Sequence, residues 1–233
     1  MKFKYFLLLT VMYQLVTLQL KAQSEKKEPL DKKSGFVALL LSYSNTKKEN
    51  SKSLLENVKT SDVSNFSVRS GGGYFFKKYF AVGLGLDYGS EKEKAENINT
   101  FGPNTILDRH LRTYTFTPYI RNYLPVGAKD RFFLFTQTGL ELEIGNGEES
   151  TVTGTSSTYA DIKKHEFGLA FTPGVILLVQ KGFAFEVNVG VLGLNHSKET
   201  ITPTGQPQTE ISRTNFNFEI NLLKLNLGIS YYF

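Results

Sequence analysis

From Phe80 to Tyr88 the chain reads FAVGLGLDY, with Phe80, Val82, Leu84, Leu86 and Tyr88 at alternate positions and Ala81, Gly83, Gly85 and Asp87 between them. Successive side chains of a β-strand point to opposite sides, so this alternation makes one face bulky hydrocarbon and the other nearly bare backbone. The pattern recurs where Phe132, Leu134, Leu140, Leu142 and Ile144 oppose Phe133, Phe135, Gln137, Gly139, Glu141 and Glu143. It recurs again where Phe183, Phe185, Val187, Val189 and Val191 oppose Ala184, Glu186, Asn188 and Gly190. Such a chain must place one surface against a large apolar environment and crowd the other into a narrow space.

Eight stretches carry the pattern, near 35–44, 64–76, 79–90, 110–124, 131–145, 163–180, 183–196 and 213–233. The connections after the second, fourth and sixth are short: Lys77–Lys78, PVGAKD at 125–130 and KG at 181–182. Those after the first, third, fifth and seventh are long and polar, as in GNGEESTVTGTSSTYAD. An even strand count with alternating short and long connections predicts an all-β fold, an eight-stranded antiparallel up-and-down transmembrane β-barrel over residues 34–233.

Period alone leaves open which face points inward, and residue size decides it. An eight-stranded barrel has an interior that side chains just fill, which suits the glycine-rich face and sends the hydrocarbon outward to lipid. Arg69, Asp87, Arg121, Glu141, Glu143, Glu166, Glu186, Glu219 and Lys224 share the inward face and are expected to form a lumenal network of paired charges. Aromatics near the short turns (Tyr74, Phe76, Tyr79 and Phe80; Tyr123, Phe132 and Phe133; Tyr231 to Phe233) read as an interfacial girdle. Pro118 and Pro173 on the outward face predict a local bulge or bend, and a slip of apolar parity between Leu222 and Leu223 predicts another bulge.

Ahead of the barrel, residues 1–22 carry Lys2 and Lys4, an apolar run from Tyr5 to Leu20 and a small residue at Ala22, the plan of a secretory signal peptide. Residues 23–33, charged and containing Pro29, read as a flexible linker. The formal charge of +5 owes much to that leader: without residues 1–22, 24 basic groups face 22 acidic ones. With few aromatics among the charged connections, nucleic acid is not an expected partner. Cysteine is absent, which excludes disulfides and thiolate metal sites.

The closing residues NLGISYYF resemble the C-terminal signal of bacterial outer-membrane barrels, with Asn226, Gly228, Tyr231 and Phe233 in the positions read by the barrel-assembly machinery. From about residue 34 onward the chain is similar to the eight-stranded outer-membrane β-barrel domains of the porin-like family. That resemblance implies a Gram-negative outer membrane, contact with its lipid and handling by the assembly machinery.

Catalytic, cofactor and metal residues are not apparent. His110, His165 and His196 stand near the long-loop ends of strands, and His196 and Ser197, as neighbours on a strand, point to opposite faces. The expected function is therefore non-enzymatic: a barrel with a narrow, charge-plugged lumen and long extracellular loops, serving envelope structure or binding a ligand or protein at those loops. A small passive pore lined by the inward carboxylates and a lipid A-modifying enzyme are the alternatives.

Overall fold

A computed structural model describes residues 30–52, 57–97, 103–127, 131–180, 182–218 and 225–233. The expected signal peptide and residues 23–29 of the expected linker lie outside the described residues. Residues 30–33 are a turn docked beneath the sheet: Leu30 is fully buried, Lys33 N donates to Phe75 O at 2.9 Å and Tyr79 N to Leu30 O at 3.0 Å. These four residues are the end of the expected linker, and burial of the Leu30 side chain holds them against the barrel.

The strands are β1 (Gly35–Lys52), β2 (Asn57–Lys77), β3 (Phe80–Asn97), β4 (Thr105–Val126), β5 (Phe132–Thr153), β6 (Ser156–Gln180), β7 (Phe183–Asn188), β8 (Leu192–Pro203), β9 (Thr209–Phe218) and β10 (Asn226–Tyr232). Neighbours from β1 to β7 pair in sequence order, β7 pairs with β10, and β10 returns to β1, closing an antiparallel ring of eight. Above that ring β8 continues the line of β7 along β6, and β9 pairs with β8. The expected seventh strand is thus β7 with β8, and the expected eighth is β9 with β10.

Pro173 explains the break between β7 and β8. Gly174 faces Asn188 below it and Phe171 faces Leu192 above, so two residues of β6 oppose three of the other strand. This is the bulge expected near a proline that cannot donate to the ladder, held by Val189 N donating to Pro173 O and Val191 N to Phe171 O, each at 3.1 Å. Pro118 behaves differently: the β4–β5 pairing skips Thr117 and Pro118, but the register is the same on either side, so no bulge forms. The bulge expected at Leu222–Leu223 lies outside the described residues; Phe216 and Leu227, both exposed, stand at opposite parity around it.

The polar connections read as long loops are largely strand. β5 and β6 run on to meet at a tight turn, Gly154–Thr155, with Gly154 in the left-handed region at φ +60°, so GNGEESTVTGTSSTYAD is a hairpin. Above the lipid the outward face of a strand meets water in place of hydrocarbon, so the apolar alternation that marks a strand in sequence weakens there. Thr, Val, Ile and Tyr still favour the extended backbone, and cross-strand pairs tie it: Lys59 to Glu96 at 3.0 Å, Lys94 to Asp108 at 3.2 Å, Lys198 to Glu210 at 3.0 Å. The expected long extracellular loops are corrected to a projecting β-ribbon. At 22 residues β5 reaches about 70 Å along its length, against the ~9–11 residues a spanning strand needs.

The bulky face points outward, with Leu84 54%, Leu86 60% and Leu124 61% exposed, while Ala81 and Phe135 on the opposite face are 0% and 2% exposed. In the projecting half the wall has a seam: among the described residues, β1 from Ser42 onward pairs with β2 alone and β9 pairs with β8 alone.

Candidate functional site

The lumen is the place where the alternation gathers chemistry, and it is layered from the short-turn end upward. Its floor is aromatic. Phe36, Phe75, Tyr123, Phe133, Phe135 and Tyr232 converge there with Ile176 and Leu30, and each is buried. The rings of Phe36 and Tyr232 stack at 5.3 Å, and those of Phe75 and Tyr123 lie 5.3 Å apart. Inward glycines make the room: a Cβ on Gly73 would stand 2.6 Å from the Phe36 ring, and Gly174 and Gly83 lie in the same way under the Phe135 and Tyr119 rings.

This floor corrects the girdle expectation for Tyr123, Phe133 and Tyr232, which turn into the barrel. Parity decides it, since Phe133 shares the inward face with Gln137, and nearness to a turn does not override the pleat. Tyr74 and Phe76 do face outward, their rings edge to face at 5.4 Å.

Directly above the floor sits Arg121. Its Nη1 donates to Glu186 Oε2 at 3.1 Å, and its Nε and Nη2 donate to Gln137 Oε1 at 3.0 and 2.7 Å. Its guanidinium carbon lies 4.3 Å from the Phe135 ring centroid and 5.2 Å from that of Phe36, within cation–π range. Asn188 Nδ2 donates to Glu186 Oε1 at 3.4 Å, and Asn226 Nδ2 to Asn188 Oδ1 at 2.9 Å. The side chains of Arg121 and Glu186 are 4% and 0% exposed. A pair so deeply buried persists because nearly every polar atom has a partner.

The next layers are wetter. Arg69 pairs with Asp87 at 2.8 Å. Lys164 Nζ sits between Glu143 and Glu166, 2.8 Å from each; Thr115 Oγ1 donates to Glu143 at 3.1 Å and Asn195 Nδ2 to Glu166 at 2.7 Å. Glu141 faces inward between these groups and forms no ion pair among the described residues. Glu219 and Lys224 lie outside the described residues. Sequence reasoning missed Lys164, the shared cation of Glu143 and Glu166. The inward parity of its strand, which also carries Glu166, could have revealed it.

At the rim Arg109 reaches across the lumen from β4 to β8, donating to both Glu199 oxygens at 3.0 and 2.8 Å, with Glu149 3.8 Å away. Burial pulls this guanidinium down, and the Glu199 carboxylate outweighs that, holding it above the ordinary arginine range. The residues lie in stretches read as loop, so their alternation with Arg121 went unused.

The residues likened to an assembly signal lie on the closing strand. Gly228 lies against Leu40, Tyr231 faces outward with its ring 4.9 Å from that of Phe183, and Phe233 exchanges backbone hydrogen bonds with Gly35 at 2.7 and 2.9 Å. His196 is exposed and bonds Thr214 at 2.9 Å, while Ser197 is buried on the opposite face, so the two form no dyad. Among the described residues no group of three or more His, Cys, Asp or Glu is placed to hold a metal.

A closed ring of eight antiparallel strands, hydrocarbon outside and side chains filling the base, is a transmembrane β-barrel of the outer-membrane kind. No protein-family model matches the sequence, and no curated protein matches it. Among solved structures, the chain is similar to Ail, the attachment invasion locus protein of Yersinia pestis, at 13% identity and TM-score 0.37, covering 87% of this chain and 99% of that one. It is similar to the outer membrane protein OprG from Pseudomonas aeruginosa at 13% identity and TM-score 0.48, covering 88% and 99%. Neisserial surface protein A follows at 17% identity and TM-score 0.38, covering 86% and 96%. At these TM-scores the likenesses carry no weight for this chain, and its class rests on the closed ring and the exposed hydrocarbon.

Proposed function

We propose that the chain is a non-enzymatic integral barrel of the Gram-negative outer membrane whose lumen does not conduct. Exported by residues 1–22 and closed by a terminal strand that the assembly machinery reads, it serves envelope structure or surface interaction through its projecting ribbon. The carrying observation is the base of the lumen: Arg121, Glu186 and the rings of Phe36, Phe75, Phe135, Tyr123 and Tyr232 are each 5% exposed or less. A water path would leave its lining wet. Directly above, the cavity among Arg69, Tyr119 and Arg121 measures only ≈ 20 Å³, about enough for a single water. The plug is as much aromatic as charged, which refines the charge-plugged lumen expected from sequence.

In a planar bilayer the purified barrel is expected to be silent at all voltages. Reproducible unitary conductance would overturn the plugged reading and favour the passive pore. The inward carboxylates argue against an ion path, since Glu143 and Glu166 are both tied to Lys164.

A further inference from the structure

Midway up the lumen one row of inward positions is small on five successive strands. Ser42 on β1 faces Ser67 on β2, Ser67 faces Gly89 on β3, Gly89 faces Thr113 on β4, and Thr113 faces Gly145 on β5. Lys164 on β6 ends the row beside Gly145. An eight-stranded interior is narrow enough for side chains to fill, and the aromatic floor and the Arg121 layer do fill it. This row does not. It leaves a hollow of ≈ 220 Å³, lined also by Asn65, Glu91 and Glu143, with Leu111 at its upper edge. An apolar cavity of about 150 Å³ takes a benzene-sized guest, so this hollow has room for one the size of a monosaccharide. Ser42, Ser67 and Thr113 are half-buried, so water reaches them, and with the base sealed that water comes from the exterior side.

The charge around the hollow is unbalanced. At its walls and in the layer beneath, Asp87, Glu91, Glu141, Glu143 and Glu166 face Arg69 and Lys164. Both cations are engaged, Arg69 by Asp87 and Lys164 by Glu143 and Glu166. Glu91, across the ladder from Asn65, forms no ion pair among the described residues. Arg109 above it is held by both Glu199 oxygens, with Glu149 3.8 Å away. Lys48 and Arg213, inward by parity on the edge strands β1 and β9, are exposed. A carboxylate without its cation, set among hydroxyl and amide walls, calls for a cation that also hydrogen-bonds. We propose that the hollow binds a small hydroxylated amine from the exterior. Glu91 takes the ammonium, and Asn65, Ser67 and Thr113 take the hydroxyls. A bare metal ion matches poorly, because among the described residues no three His, Cys, Asp or Glu are placed to hold one.

The purified full barrel in detergent is titrated calorimetrically with glucosamine in mildly acidic buffer, where its amine is protonated. Glucose and N-acetylglucosamine serve as uncharged counterparts. Saturable one-site binding of glucosamine alone is expected. Glu91→Gln should weaken it about tenfold through loss of a charge-assisted hydrogen bond, and the fold should be unharmed because no ion pair depends on Glu91. Ser67→Leu, which fills the hollow, should abolish binding, while Lys94→Gln on the outer face leaves it unchanged. No binding of glucosamine to the wild type, equal binding of glucose, full affinity in Glu91→Gln, or displacement by an equal concentration of sodium would each overturn the site. The comparison among the three sugars decides even if a variant does not fold. This inference rests on the plugged reading for the side of entry alone: block of a unitary conductance by glucosamine would keep the site and overturn the plug instead.

Discussion

Arg121 concentrates the energetics of the lumen in one side chain. Replacing it with Ala leaves Glu186 buried without its cation, and the expected cost is about 3–5 kcal/mol. Arg121→Met together with Glu186→Leu removes both charges and should recover much of that loss; urea unfolding of the barrel in vesicles measures both. If the double variant were as unstable as the single one, the pair would matter as a shape and not as charges. At this scale the sequence was legible by parity. Arg69, Asp87, Arg121, Glu143, Glu166 and Glu186 all face the lumen because alternation fixes the side of every residue once one is known. Their partners were less legible, since Gln137, Lys164 and Asn195 meet these groups from other strands at separations that only the ring's register sets.

Among the elements, β9 differs from the rest in having one paired edge. Its amides turned toward β8 are bonded within the sheet, and those turned away find no strand partner among the described residues. Hydrogen exchange should therefore split β9 into alternating slow and fast amides, whereas the central β5, paired on both sides, should be slow throughout. Uniform protection along β9 would mean that the seam is closed in the membrane. The spanning parts of the strands were readable because lipid outside and glycine inside make the two faces as unlike as they can be. The ribbon above was less so, because water replaces lipid on the outward face and weakens the contrast, and polar pairs such as Thr105 and Thr153, whose hydroxyls meet at 3.2 Å, carry the pairing onward.

For the whole molecule, the exposed hydrocarbon band sets where the barrel sits. Leu140, 44% exposed near the middle of that band, should tolerate water-soluble neighbours poorly and lipid well. Leu140→Lys is expected to destabilise the barrel in vesicles by about 2–4 kcal/mol, with little change in detergent micelles, which deform to hydrate the amine. An equal cost in both would place Leu140 in a protein contact.

The ring closes on itself through short ladders: among the described residues β10 makes six residue pairs with β1, from Phe36↔Tyr232 to Leu41↔Leu227, and six with β7, while β1 and β2 share seventeen. That makes the stretch from β7 through β10 to β1 the mechanically weakest part of the cylinder. Under force the wall should unzip there first and peel upward into the seam, and during biogenesis the same stretch is the natural last stitch.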